Sequence, residues 1–428
     1  MGKKNRRRSG PSTRVNNIVQ PGSEITKPKS KERSANELIS LAEAEMADPV
    51  KQIAMYNTAA RRLRSSGVAQ SNPEKVASVL GRCAECKAGI GDLEGGATMF
   101  LEGIKIMEQA ASSSSTLSLA DGVMLSGFYF YLGQLCTAGD SLKYYQDGIQ
   151  ILERCCNNAE IQSQLNSGSD GKTFVEGQKQ LCSAYCSIAE LYMTDLCYED
   201  NAEAQCELFI RKAVQLNADK MLDLADPLQA MANLLLCQSK TKEATEYIAR
   251  AYQTMKVGCE SLSKIVGLGV QLESEDLKPD VVAPELSNVD QATSLPGFEF
   301  RVQTAKIILE CISHQATPCC QTDLQQLSNA AVHVLGSLLA ENDEVIEVWY
   351  LTGCAFHSRV ASSKEAEKEI TAAKYYWKKA LDMLKAVKNS GGVDDEEVLN
   401  GQIEEVMDKL SKCSSSTSAN NDNAMEEG

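Results

Sequence analysis

The sequence lacks any run of about 18 or more apolar residues, so we expect no segment that crosses a membrane. The charged first residues are not followed by an apolar stretch, and we expect no secretory signal there. No glycine-rich phosphate-binding motif follows a strand-like segment, and no Ser or Cys stands near a histidine with an orienting acid. We therefore expect neither enzyme activity nor a cofactor.

Histidine is scarce, and its pattern argues against a metal site. The chain has three histidines, His314, His333 and His357, which are scattered along it. One Cys-x-x-Cys pair, Cys83 and Cys86, has no second pair at zinc spacing. The sixteen cysteines would suit a disulfide framework, but without a secretory signal we expect a reducing compartment. We therefore predict no metal site and interpret most thiols as small apolar core groups.

Charge is distributed unevenly around the net value of −15. Residues 1–33 carry ten basic and two acidic side chains, a net charge of +8, which leaves −23 on the rest of the chain. Because an acidic body repels phosphates, we expect no direct contact between this body and nucleic acid. A basic protein is the partner that the charge favours.

The chain between two polar tails has a helical pattern. Residues 1–33 and 411–428 are predicted to be disordered, since they are polar and lack apolar periodicity. Residues 34–410 are rich in Ala, Leu, Glu, Gln and Lys and almost lack β-branched alternation. We therefore predict three segments: a basic tail, a helical body and a second tail.

One unit of about 34 residues fits a helix–turn–helix repeat without a gap. Leu228 and Ala232 take the large and small positions of its first helix, and Ala244, Ile248 and Ala251 take those of its second. Small residues opposite large ones let two helices approach closely, which is the pattern of the tetratricopeptide repeat. Further copies with insertions predict about seven helical hairpins and a C-terminal capping helix. We predict an all-α superhelical solenoid; the alternative is a generic helical bundle.

The repeat register predicts which side chains line the concave groove of such a solenoid. The first helix of each hairpin faces this groove. Inward positions hold carboxylates, with Lys306 as the clear basic exception, and two aromatic rings. These residues are Glu85, Glu190, Asp226, Glu299, Glu310, Glu347, Phe130 and Tyr350. Asp195 lies just beyond them, in the turn Met193-Thr194-Asp195. An acidic groove with aromatic contacts suits an extended segment rich in Lys and Arg. The alternative is that the acids form only a solvated face.

Three stretches are not explained by the repeat pattern. They are AELYMTDLCYEDNAEAQCE at 189–207, LPGFEFRVQTAKIILE at 295–310 and NDEVIEVWYLTG at 342–353. Together they resemble the eukaryotic family of dedicated assembly chaperones for large-subunit ribosomal protein four. The resemblance covers roughly residues 35–410 and leaves out the basic tail. It is also weak over the shortened repeat at 129–148.

The resemblance implies that the chain captures a newly made ribosomal protein, binds its basic internal loop and escorts it to nuclear pre-ribosomes. The matching stretches carry over the protein-binding candidates Glu190, Asp195, Glu199, Glu299, Glu347, Trp349 and Tyr350. The implied locations are the cytoplasm and the nucleus, and we expect a monomer. The alternative function is a general tetratricopeptide-repeat scaffold for another protein complex.

A cluster of five cations marks the basic tail: Lys3, Lys4, Arg6, Arg7 and Arg8. The cluster has three interpretations, a nuclear import signal for an import receptor, a solubilising tail or a contact to ribosomal RNA. We favour the import signal because the family works on a nuclear route.

Overall fold

The computed structural model describes residues 33–45, 47–113, 117–158, 169–267, 295–314, 321–361, 363–390 and 395–423. Within these ranges the regular structure is helical and no strand occurs. The helices are α1 (Ala35–Ala44), α2 (Pro49–Ser65), α3 (Val68–Ser71), α4 (Pro73–Gly89), α5 (Leu93–Ser113), α6 (Leu119–Leu135), α7 (Ala138–Asn157), α8 (Ser169–Met193), α9 (Ala202–Asp219), α10 (Asp226–Cys237), α11 (Thr241–Ile265), α12 (Phe298–Ser313), α13 (Gln321–Glu341), α14 (Ile346–Arg359), α15 (Ala366–Ser390) and α16 (Glu396–Asn423).

These helices pair into seven hairpins in chain order, as the repeat pattern predicts. The pairs are α1–α2, α4–α5, α6–α7, α8–α9, α10–α11, α12–α13 and α14–α15. Helix α16 packs on α15 and closes the array. The predicted all-α repeat fold with about seven hairpins and a cap is therefore confirmed. The last helix ends at Asn423, past the predicted boundary at residue 410.

Close approach between the two helices of a hairpin depends on small residues. A Cβ atom added at Gly353 of α14 would lie 2.4 Å from the ring of Trp377 in α15. Gly133 of α6 has the same relation to Tyr145 of α7, at 2.7 Å. Real Cβ atoms do not approach another side chain this closely, so only glycine lets the ring lie flat against the facing helix. This is the physical reason that the repeat register alternates small and large residues.

The first helices of successive hairpins also touch one another. Contacts join α4 to α6, α6 to α8, α8 to α10, α10 to α12 and α12 to α14. These six helices therefore form one continuous layer, and its surface is called the A-face below. Among the second helices, α11 and α13 make an extensive contact.

The first helix starts where its sequence places a cap. The Ser34 hydroxyl accepts a hydrogen bond from the Glu37 backbone N–H, and the Glu37 carboxylate accepts one from the Ser34 N–H at 2.6 Å. This reciprocal capping box satisfies two N–H groups that the helix cannot pair itself. The solenoid therefore begins immediately after the basic tail.

Candidate peptide-binding face

Side-chain contacts fix neighbouring first helices to each other along the A-face. The Gln229 amide of α10 donates hydrogen bonds to the Thr304 hydroxyl of α12 at 2.7 Å and to the Phe300 carbonyl at 2.8 Å. The Asn233 amide lies 3.8 Å from the Met193 sulfur of α8. Because these partners are buried or partly buried, they hold the layer in one arrangement. The A-face thus offers preset positions to a ligand.

The predicted carboxylates on the first helices are all exposed. They are Glu85, Glu190, Asp226, Glu299, Glu310 and Glu347. They occur on α4, α8, α10, α12 and α14, so the negative charge recurs along the layer rather than at one end. A row of this kind can bind several cations of one extended segment.

Two of these carboxylates share one area around Cys186 of α8. Hydrogen bonding to Cys182 is the main cause that raises the pKa of the Cys186 thiol, and burial and the charges of Asp226 and Glu190 add to it. Desolvation by the surrounding protein also raises the pKa of the Asp226 carboxyl, although its side chain reaches solvent. A carboxylate held among protein atoms gains more from an added cation than one in open water.

Glu347 already has a partner. Its carboxylate lies 2.7 Å from the Lys306 ammonium of α12, the basic residue that the sequence placed in the groove. Both side chains are half exposed, so this ion pair contributes little to stability and can open. A ligand cation at Glu347 has to compete with Lys306.

Asp195 and Glu199 lie in the turn region between α8 and α9, and Asp195 has a structural contact. Its carboxylate accepts a hydrogen bond from the Ala138 N–H at 3.2 Å, where α7 begins. The carboxylate therefore fixes the start of α7, the second helix of a neighbouring hairpin. Glu199 is exposed, and its charge adds to the burial that raises the pKa of Tyr192.

Phe130 is a core residue, which corrects its predicted place in the groove. Its side chain is 8% exposed and stacks on Tyr145, with ring centroids 6.0 Å apart. A Cβ at Gly148 would lie 2.6 Å from the Phe130 ring, so α7 covers this ring. Phe130 is therefore unavailable to a ligand.

Trp349 makes its contacts within the last hairpin. Its indole N–H donates a hydrogen bond to the Asp343 carbonyl at 2.7 Å, and its ring lies 5.6 Å from that of Tyr376. The Lys379 ammonium lies 5.6 Å from the ring centroid of Trp349. The half-buried indole therefore joins α14 to α15 and to the turn before α14.

Tyr350 makes its contacts with the capping helix. Its hydroxyl donates a hydrogen bond to the Glu405 carboxylate, and the Lys409 ammonium lies 5.7 Å from its ring centroid. Burial raises the pKa of this phenol well above its ordinary value, and the bond to Glu405 adds to the shift. The ring thus joins α14 to α16.

Two exposed tyrosines on this part of the molecule were not predicted as site residues. Tyr131 of α6 is 40% exposed, and Tyr198, in the turn region that holds Asp195, is 96% exposed. Tyr131 follows Phe130 directly in the run Phe128-Tyr129-Phe130-Tyr131. Because α6 is apolar on every side, periodicity does not show which ring of that run faces outward.

Cysteines and acids in the described part of the chain indicate neither a disulfide nor a metal site. None of its fourteen cysteines is in a disulfide, and burial raises the pKa of Cys83 and Cys206 to about 11. No group of three or more His, Cys, Asp or Glu residues is arranged for a metal ion in these ranges. None of the helices described there is long and apolar enough to span a bilayer. The import candidates Lys3, Lys4, Arg6, Arg7 and Arg8 lie outside the described residues.

Comparison with known proteins supports the predicted resemblance, although no family model matches the chain. The chain is 25% identical over 381 residues to a protein of Schizosaccharomyces pombe named "Probable assembly chaperone of rpl4". That alignment spans 87% of this chain and 91% of that protein. A solved structure, "Assembly Chaperone of RpL4 (Acl4) (Residues 1-338)", overlays with a TM-score of 0.50 at 22% identity, covering 78% of this chain and 100% of that chain. The resemblance to these chaperones is confirmed, and the overlay shows a shared fold.

Proposed function

We propose that the chain is a dedicated chaperone of newly made large-subunit ribosomal protein four. In this proposal a basic loop of the client lies along the A-face carboxylates. The observation that carries the proposal is the alignment over 87% of the chain with a protein named as a probable assembly chaperone of rpl4. The exposed carboxylates on five first helices support it, because they match a cationic ligand in sign and in extent.

Electrostatics supplies both capture and release. A negative face speeds the encounter with a basic segment and covers charge that would otherwise bind RNA nonspecifically. Ribosomal RNA phosphates compete for the same cations, so assembly of the client displaces the chaperone. Since several of the carboxylates are exposed, salt screens the attraction over about 8 Å at physiological ionic strength. Binding should therefore weaken as salt rises.

The proposed route runs from the cytoplasm to the nucleus. The cluster at residues 3–8 has the composition of a segment that an import receptor binds. Alanine replacement of its five cations should leave a fluorescent fusion of the full chain in the cytoplasm. A fusion that still enters the nucleus at the wild-type level would assign the cluster another role.

Affinity purification at low salt tests the client. We expect ribosomal protein four to be recovered in near-equal amount with the intact protein and to dissociate as salt is raised. A triple variant, Glu85→Gln, Glu190→Gln and Asp226→Asn, should weaken client binding by tenfold or more, at about 0.5–1 kcal/mol for each exposed charge contact.

A matched control keeps the net charge change but moves it to the second helices. Glu243 and Glu246 of α11 and Asp382 of α15 are exposed, and their Gln, Gln and Asn variants should bind the client like the wild type. Equal weakening by both triples would mean that only net charge matters and that the A-face is not the site. Recovery of an unrelated complex instead of the ribosomal protein would favour the general scaffold.

A further inference from the structure

Tyr131 is an exposed ring held in a fixed orientation. It stacks on Phe100 of α5 with centroids 5.0 Å apart and an interplanar angle of 8°. Phe100 is itself fully buried, so one face of Tyr131 is fixed while the side chain remains 40% exposed. Such a ring offers a flat π-surface without the entropy loss of ordering a free side chain.

A carboxylate lies beside this ring. Burial raises the pKa of Tyr131, and the charge of Glu85 and a hydrogen bond to it raise the pKa further, so the Glu85 carboxylate is a close neighbour of the phenol. Glu85 is exposed on α4, a helix that contacts α6. Ring and carboxylate together attract a cation more strongly than either alone.

A similar pair of an aromatic ring and a carboxylate occurs at the C-terminal end of the solenoid, and there a lysine lies over the ring. Tyr350 donates to Glu405, and Lys409 from the same capping helix lies 5.7 Å from the Tyr350 ring centroid and 5.8 Å from that of Trp377. In the described ranges, the cations that lie over aromatic rings belong to Lys212, Lys220, Arg250, Arg359, Lys379 and Lys409, and none of these is at Tyr131. Lys409 of the capping helix therefore covers the Tyr350 ring, while no cation of the described residues covers the Tyr131 ring.

We propose that Tyr131 and Glu85 form a receptor for one Lys or Arg side chain of the bound segment. The cation lies over the exposed part of the Tyr131 ring, as Lys409 lies over the Tyr350 ring, and it pairs with the Glu85 carboxylate. The inference rests on the proposed function, because it names where the basic client touches the N-terminal half of the A-face. The Tyr350 grouping is closed to the client.

Binding to two probes tests this receptor: purified ribosomal protein four, and a labelled arginine–glycine–serine repeat peptide whose binding does not depend on the client. In the full chain, Tyr131→Leu should weaken both probes by about two- to fivefold, the range of an exposed cation–π pair. Tyr131→Phe keeps the ring and should bind within about twofold of the wild type. The control is Tyr375→Leu, which removes an exposed ring of α15 and should change neither affinity.

A second variant removes the cation that covers the Tyr350 ring. Lys409→Gln keeps most of the side chain but removes its charge, so the peptide should gain a site and bind more tightly than to the wild type. Peptide affinity that stays unchanged in Tyr131→Leu, with a wild-type circular dichroism spectrum, would overturn the receptor. If the wild type binds the peptide and not ribosomal protein four, while Tyr131→Leu still weakens the peptide, the client assignment fails and the receptor stands.

Discussion

Arg301 is the most completely buried cation of the described residues, at 2% exposure. Its Nε–H donates to the Pro296 carbonyl at 2.9 Å, one Nη donates to the Ser337 hydroxyl at 3.0 Å, and the other pairs with Glu341. One side chain thus ties the segment before α12 to α13. Arg301 lies in the stretch 295–310, which resembles the chaperone family. Its position in an apolar run does not show from sequence alone that the side chain is buried.

Arg301→Met should destabilise the fold by about 3 kcal/mol, because it leaves the partly buried Pro296 carbonyl without its donor and removes the bond from α12 to Ser337 of α13. Thermal denaturation followed by circular dichroism measures the loss. Glu341→Gln is the control, and it should lose far less because Glu341 is half exposed and glutamine can still accept the bond. Equal losses in the two variants would contradict a burial-driven role for the arginine.

His333 of α13 is half buried among charged groups. Burial lowers the pKa of its ring below the ordinary value, while the charge of Glu260 opposes the shift. Arg359, Lys256 and Lys264 lower it further. The folded chain therefore holds this ring neutral more strongly than the unfolded chain does.

A pH dependence follows from this shift. Because the folded-state pKa lies below the unfolded-state value of about 6.5, the stabilisation is complete above that pH and is lost as the pH falls toward the folded-state pKa. His333→Asn can keep a hydrogen bond to Tyr252, which lies 2.8 Å from the ring nitrogen, without binding a proton. Its melting temperature should therefore fall less than that of the wild type between about pH 7 and pH 5. His314→Asn, at an exposed position, should fall as the wild type does.

At the scale of the helix, the repeat pattern predicts how α14 packs on α15, but it does not predict which ring of α6 is exposed. The ring of Trp377 packs against Gly353, which is the large-against-small contact that the repeat pattern predicts within a hairpin. In α6 the apolar residues surround the helix, so spacing selected Phe130 where the exposed ring is Tyr131. Contacts such as that of Lys409 with Tyr350 join distant segments, and repeat spacing contains no information about them.

Gly353→Ala should destabilise the last hairpin by about 1–3 kcal/mol, since the new methyl overlaps Trp377. Both tryptophans of the chain, Trp349 and Trp377, lie in this hairpin, so fluorescence reports on it specifically. The emission of the variant should shift to the red at lower urea concentration than that of the wild type. Gly401→Ala is the control, because no atom lies within 4 Å of the added Cβ. A wild-type urea midpoint for Gly353→Ala would contradict the tight helix contact.

At the scale of the whole molecule, the array depends on a closed end. Helix α16 buries Leu399, Val406 and Cys413 against the last hairpin, and these contacts extend past the boundary predicted at residue 410. A terminal repeat without such a cover exposes its apolar face to water. The capping helix therefore contributes to solubility as well as to stability.

Truncation after Asp395 should expose the face of α15 that α16 covers. We expect a lower melting temperature, a red shift of tryptophan emission and self-association in light scattering. Truncation after Cys413, which keeps the three buried contacts, is the control and should behave like the full chain. A truncation after Asp395 that stays monomeric and as stable as the full chain would show that the cap is dispensable.

The buried core is divided along the chain into separate clusters. One joins α1, α2 and α4, a second joins α4, α5 and α6, and the largest extends from α6 to α16. Since the helix contacts join elements that are near one another in chain order, contact order is low and the N-terminal hairpins can fold while the C-terminal ones are still being synthesised. Amide hydrogens should then exchange in blocks, with the first hairpins opening at a lower free energy than the centre. Tyr131 and Glu85 stand at the border of such a block, so local opening of the first hairpins can loosen one end of a bound segment without unfolding the chaperone.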